Sequence, residues 1–328
     1  MVGAPAGSAR PPAWWAGPGR PTPPGALGLV DQGGETTVPP LEKRTYVRTL
    51  ATPCALRSGA QKTRSGTGEL VEGAVRHNAA DMCGRFALYT PPARVARYFH
   101  ATLAEGQESE HEASWNVAPT DEVLGVRDRP LKREATEGLG EKGDETHEVE
   151  RLLMTFRWGL IPWWSKDAKG GSRLINARRE TVLTKSSFRE AFEKRRIIVP
   201  ADGFYEWRRT KSGGKQPHYF TRADGAPMAF AGLAERWRDK NAPKDSPPIR
   251  SCTVITTPAG PDMEGIHDRM PVLLDPSTFD LWLDPYNEDT EELRALLQPL
   301  PAGTMVHHPV GPRIGNVRNN DPGLVEAV

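Results

Sequence analysis

From Met82 onward the sequence sets nine β-like runs too close together for regular crossover helices, and that spacing limits what the chain can fold into. FALYT, EVLGV, LLMTFRW, RIIVP, GFYEW, HYFTR, MAFAGL, SCTVITT and TMVHHPV are rich in β-branched and aromatic residues and bounded by turn residues. Helical signals are fewer. TPPARVARYFH opens with Thr90 as a cap followed by proline, and Ser187 to Glu190 reads as a capping box before REAFEKR. DPSTFDLWL and EDTEELRALLQ lie near the C-terminal end. Such irregular alternation predicts an α+β fold, one domain over 82–328, with a largely antiparallel sheet and a few peripheral helices.

The first 81 residues differ in kind. They hold 10 Pro and 12 Gly, against 21 and 20 in the remaining 247, and show no sustained apolar period. Such a segment cannot bury enough surface to offset chain entropy, so residues 1–81 are expected to be disordered. EGLGEKGDETHEVE (137–150), acidic and turn-rich, reads as an exposed insertion between two strands. KDAKGGS (166–172) reads as a flexible loop rather than a phosphate cradle, since no Gly-Lys-Ser/Thr leads into a helix.

No run approaches the ~18 apolar residues of a membrane span, and the N-terminal segment lacks the apolar core of a secretory signal. A cytoplasmic protein is expected. Cys54, Cys83 and Cys252 are odd in number and far apart, which fits neither a disulfide framework nor a CxxC metal site; no metal and no cofactor are expected. The net charge of +1 confines any nucleic-acid surface to local patches. Candidates are ARRE (177–180), EKRR (193–196) and WRRTK (207–211), each of which also reads as a solvated face.

Taken alone, Cys83 is a small hydrophobe of the kind usually buried. Its neighbour Met82 changes the reading. A cysteine behind an initiator methionine becomes the first residue once that methionine is removed. It then carries an α-amine (pKa about 7.7 to 8.0) beside a thiol (pKa about 8.5), both near neutrality. The amine condenses with an aldehyde to an imine, and the thiolate closes a five-membered thiazolidine on the imine carbon.

MCGRFAL (82–88), WNVAPT (115–120), RWGLIPWW (157–164), LINARRET (174–181), IIVPADGFYEW (197–207), GIHDRMPVLL (265–274) and HPVGPRIGNVRNN (308–320) stand in the order seen in the SRAP family. The chain resembles these SOS response-associated peptidases, also called abasic site processing proteins, from Met82 to about Asn320. The resemblance implies a single barrel-like SRAP domain that binds single-stranded DNA and captures the ring-opened aldehyde of an abasic site. The product would be a thiazolidine DNA–protein crosslink. It also implies autoproteolytic removal of the initiator methionine, that is, a peptidase-type hydrolase with Schiff-base, lyase-like chemistry at the lesion. The expected partner is single-stranded DNA with abasic sites, and the expected form is a monomer that joins the nucleoid on damage.

By the same resemblance Cys83 is the crosslinking residue and the nucleophile of self-cleavage, and Glu206 in GFYEW is the proton shuttle. A strand there puts Phe204, Glu206 and Arg208 on one face, where an aromatic neighbour raises a carboxyl pKa; otherwise Glu206 is an ordinary solvent-facing carboxylate. His267 matches the active-site histidine, although a lone loop histidine is usually a surface residue. Asn116 and Asn176 match asparagines that orient the cysteine and the DNA backbone, and Arg85 and Arg178 match phosphate-binding arginines. Trp163 and Trp164 match residues that stack on or wedge between bases, with one of the pair expected in the core.

One position departs from the family pattern. Ser186 stands where members place a further arginine, and Lys185 offers a point charge without the bidentate fork. The chemistry needs a free amine on Cys83, so either translation starts at Met82 or the chain is cleaved before Cys83, with the first expected. Two other functions compete: a conventional thiol peptidase using Cys83 and His267, and a non-catalytic single-strand binder using the tryptophans and arginines.

Overall fold

The computed structural model describes residues 44–48, 84–104, 111–131 and 145–328. Chain order begins with β1 (Arg44–Arg48), β2 (Phe86–Leu88), α1 (Pro92–Tyr98), β3 (Thr102–Leu103), β4 (Ser114–Val117), β5 (Glu122–Pro130) and the long β6 (Glu145–Trp158). It continues through β7 (Asn176–Arg178), α2 (Arg189–Lys194), β8 (Arg196–Ala201), β9 (Gly203–Arg209), β10 (Lys215–Arg222), β11 (Met228–Trp237) and β12 (Ile249–Pro258). It closes with β13 (Arg269–Pro271), α3 (Phe279–Leu283), α4 (Thr290–Ala295) and β14 (Met305–Pro309). Each of the nine β-like runs contains or lies within one of these strands.

Two sheets share one domain. In the larger, β6, β5, β8, β11 and β12 pair in that order, and β12 returns to β6 through a parallel contact, Ser251 with Arg157 and Cys252 with Trp158. The result is a closed ring, which removes the edges that an open sheet would expose. All six residues of β8 are buried, because α3 covers the side away from the ring: Trp282 Nε1 donates to Ile197 O at 2.8 Å. The continuous run of β-branched residues in RIIVP reflects that two-sided burial.

The smaller sheet runs β14-β10-β9-β2-β4. Phe86, Phe204 and Phe220 point from it into the main core, where Phe86 meets Trp158 edge-on at 5.1 Å. The alternate residues Ala87, Tyr205 and Tyr219 turn to a second cluster with Val310, Ile314 and Leu324 from the C-terminal segment. The period of two in FYE thus separates two cores.

Several local expectations need correction. Arg44–Arg48, inside the stretch expected to be disordered, pairs along β6 from Val149 to Glu145. Tyr46 OH donates to Asp128 Oδ2 at 2.6 Å beside the buried Arg151, so an aromatic hydroxyl adds to an ion pair inside the fold. Residues 145–150 are not insertion but the first part of β6, because β1 pairs along 145–149 and β5 joins from Val149 onward; residues 132–144 lie outside the described set. Neither proposed helix cap forms. Thr90 Oγ1 donates instead to Asp202 Oδ1 at 2.6 Å, and Glu190 turns to Arg195 and Trp163. KDAKGGS is no free loop, since Lys169–Arg173 makes a 3-10 turn held against Gly159. At Gly159 (φ +124°) a Cβ would lie 2.7 Å from Gly171 O, so only glycine permits this approach.

Candidate active site

A cleft of about 680 Å³ opens where the end of β9 faces the loops before β7 and β13. Gly84 and Arg85 enter it from the approach to β2, Glu206 from β9, and His267 from the 265–268 loop. Cys83 lies outside the described residues, but its bonded neighbour Gly84 lines the cleft.

Glu206 is 1% exposed, so it is not the solvent-facing carboxylate that an isolated strand would allow. It continues the face of Phe204 toward the core, and the sheet ends there as a cleft wall instead of closing on apolar side chains. Arg85 Nη1 donates to Asn116 Oδ1 at 2.7 Å and to Ile314 O at 2.9 Å, and burial lowers its pKa below the usual guanidinium range. Asn116 is 3% exposed, and its Nδ2 donates to Asn316 O at 3.0 Å and Asn319 O at 2.7 Å. This asparagine therefore ties β4, at the edge of the small sheet, to the C-terminal segment 316–319. It also holds Arg85 in place.

His267 Nδ1 lies 3.1 Å from Arg269 N and 3.1 Å from Asp268 Oδ1. The Arg269 amide donates to Nδ1, and Asp268 flanks the same nitrogen, so both neighbours orient the ring. The oriented imidazole lines the cleft.

The other expected residues are spread more widely. Asn176 is half-buried on β7, paired in register with Val254 of β12, and Ile175 just before it lines the cleft. Arg178 is exposed at the end of β7. Trp163 and Trp164 are 56% and 48% exposed, so neither enters the core as had been expected of one of them. Their loop is anchored by its flanks. Ile161 N donates to Ser251 Oγ and Trp237 Nε1 donates to Ser165 O, both at 2.8 Å, which leaves the ring planes outside.

Of the three basic patches, WRRTK supplies Trp207 and Arg209 to the cleft wall. EKRR is mainly structural: Arg196 is buried, with Nη1 donating to Phe192 O at 2.8 Å and Nε to Trp282 O at 2.8 Å, and burial lowers its pKa to about 10. It caps carbonyls from two short helices. Arg269 carried no assigned role, yet it grips Glu180 with both arms, at 2.7 and 3.1 Å, and donates to Thr256 O. This pair fixes the LINARRET segment to the loop bearing His267; the signal was an arginine and a glutamate in two separate motifs.

Cys252 is fully buried, and burial pushes its thiol far above the ordinary range, which removes it as a nucleophile. Among the described residues no helix is long and apolar enough to cross a membrane.

The model of the SOS response associated peptidase (SRAP) family matches residues 82–317. The chain belongs to the SRAP family. SRAP relatives include the abasic site processing protein YoqW of Bacillus subtilis, 38% identical over 75% of this chain and 100% of its own length. Abasic site processing protein HMCES of Gallus gallus is 31% identical over 74% of this chain and 76% of its own length. A crystal structure of a Bacteroides thetaiotaomicron protein has the same fold, with a TM-score of 0.62 at 24% identity, covering 75% of this chain and all of that one. A Bordetella bronchiseptica protein gives 0.53 at 30% identity, over 70% of this chain and all of its own.

Proposed function

We propose that this SRAP protein processes abasic sites in single-stranded DNA by forming a thiazolidine crosslink through Cys83. The observation that carries the reading is Glu206: a fully buried carboxyl on the wall of a cleft that Gly84, bonded to Cys83, also lines. A buried carboxyl at the wall of a cleft is the kind of group that proton-transfer sites use. The relatives named for abasic site processing support the substrate class.

The chemistry balances without an outside oxidant. Glu206 gives a proton to the ring oxygen of the abasic sugar as its bond to C1 breaks, while the C1 hydroxyl releases its own proton to water, which exposes the aldehyde. His267, on the same cleft wall, hydrogen-bonds the sugar oxygens during this proton transfer. The free α-amine of Cys83 adds to the aldehyde carbon and loses water to give the imine. Its thiolate then forms the C–S bond, and the imine nitrogen takes up a proton. Before that, the same thiol attacks the Met82–Cys83 peptide carbonyl, the C–N bond breaks to free the α-amine, and water hydrolyses the resulting thioester, releasing the carboxylic acid of Met82 and restoring the thiol, which is the autoproteolytic step. Arg85 and Arg178 hold phosphates, Asn176 orients the backbone, and Trp163 and Trp164 stack on bases, each stack contributing about 1 to 3 kcal/mol.

The test is Cys83→Ala in protein whose residue 83 carries a free amine. The imine still forms and is trapped by borohydride, whereas no heat-stable adduct accumulates without reductant. A heat-stable, unreduced crosslink in the alanine variant would refute the mechanism. A thiol peptidase gives no DNA adduct in either form, and a simple binder is indifferent to the change. Intact mass of protein from its own cell reports whether Cys83 is residue one.

A further inference from the structure

Arginines crowd one mouth of the ring. Arg236 and Arg250 stand directly opposite each other across the β11–β12 ladder, both exposed. Opposed residues share a face, and like charges in that relation destabilise a sheet. Their face is also that of Gly232, whose Cβ position lies 3.0 Å from Ile197. Arg127 on β5 shares the face of Gly125, whose Cβ position lies 3.3 Å from the same isoleucine. Three strands of the ring therefore aim arginines toward one opening.

The nearby carboxylates are already committed. Glu235 pairs with Arg195 at 2.9 Å, Glu190 pairs with Arg195 at 3.0 Å, and Glu150 pairs with Arg129. Among the described residues no hydrogen bond or ion pair holds the guanidinium of Arg127, Arg236 or Arg250. Burial and repulsion from Arg236, Arg129, Arg250 and Arg195 together lower the pKa of Arg127. A fold that keeps three uncompensated cations this close is built for an anion it does not contain.

The neighbourhood indicates which anion. Trp237, next to Arg236, donates to Ser165 O, and Ser251, next to Arg250, accepts from Ile161 N, so the loop bearing Trp163 and Trp164 is anchored beside both arginines. Trp163 Nε1 also donates to Glu190 Oε2 at 3.1 Å, and Glu190 holds Arg195. Exposed aromatic planes leading into unpaired guanidiniums are the two halves of a single-strand track.

We propose that Arg127, Arg236 and Arg250 bind the phosphate backbone of a DNA strand that continues past Trp163 and Trp164, away from the cleft. This rests on the reading of the site as a single-stranded DNA site, but not on its covalent chemistry.

The experiment measures reversible binding of undamaged strands by fluorescence anisotropy, comparing the wild type with the double variant R236S/R250S. A strand of about 25 nucleotides exceeds the roughly 4 to 16 nucleotides of one such site, and one of about 6 covers the tryptophan loop alone. The variant is expected to bind the long strand about tenfold more weakly, with its salt slope reduced by about 1.4, from roughly 0.7 per lost phosphate contact. Binding of the short strand stays unchanged, and crosslinking of an abasic strand at saturation keeps its rate. The free variant also melts at a higher temperature, since a repulsive pair has been removed. Unchanged affinity and slope on the long strand overturn the proposal, as does equal loss on both strands. Displacement of the long strand by polyglutamate at equal charge overturns it too, because the partner would then be any acidic chain. If wild type binds strands but forms no adduct, the proposed crosslinking fails while this comparison still reads out.

Discussion

The ring and the small sheet each bury an acid, but in different surroundings. Asp128 of the ring accepts from Arg151 Nε at 2.7 Å and Nη2 at 2.8 Å, and from Tyr46 OH, so its charge is fully consumed inside the fold. Glu206 of the small sheet is as deeply buried, but its side of the strand ends at a cleft. The acid of the ring is enclosed by partners inside the fold, whereas the acid of the small sheet stands on a cleft wall.

The largest effect expected from this contrast is in the ring. Asp128→Ala leaves the Arg151 guanidinium buried without its bidentate partner and should cost about 3 to 5 kcal/mol in urea unfolding. A loss below about 1 kcal/mol would show that Asp280, which also accepts from Arg151, carries the charge by itself.

Two neighbours on one face of β9 sharpen the comparison. Phe204, stacked on Phe220 with ring centroids 4.9 Å apart, is packing: Phe204→Ala should lose about 3 to 5 kcal/mol of stability. Glu206→Gln keeps the shape and should change stability by less than about 1 kcal/mol, yet slow adduct formation by about a hundredfold, with undamaged strands bound as before. Equal loss of binding and crosslinking would make Glu206 structural and erase the difference between the two sheets.

Trp163→Ala should leave the melting temperature unmoved and weaken single-strand binding by about 1 to 3 kcal/mol, because its ring plane is exposed. A fall in stability without a fall in affinity would assign it to the fold.

The smallest effect is on pH. His218 and His307 meet Nδ1 to Nδ1 at 3.2 Å on the small sheet, and burial, followed by repulsion from His307, lowers the pKa of His218 below 6.5. His307 is lowered as well, by burial first and then by Arg208. A lowered folded pKa means the unfolded chain takes up protons first, so stability is present above 6.5 and falls as pH drops through that value toward the folded pKa. Thermal melts at pH 7 and 5.5 should differ by more in the wild type than in His218→Asn. Identical differences would discard the pair as the source.

Much of this was written in the chain. Nine β-like runs sufficed for the strands, and their close spacing for the antiparallel majority, since strand identity is set by local side-chain shape. The period of two placed Glu206 with Phe204 before any contact was known. Caps were misjudged at Thr90 and Ser187 because a hydroxyl takes whichever partner the fold brings closest, here Asp202 for Thr90. The exposure of both tryptophans was not legible either. Hydrophobicity favours burial, and only the anchoring of Ile161 and Trp237 holds the loop with both rings outside.

What the sequence determined by itself was the family, the strands and the face on which the acid lies, all of which depend on residues near one another in the chain. Closure of the ring, the burial of Glu206, the docking of Arg44–Arg48 and the convergence of Arg127, Arg236 and Arg250 were decided by tertiary structure alone. Each depends on pairings between residues dozens of positions apart, whose free energy appears only once the loops between them have closed.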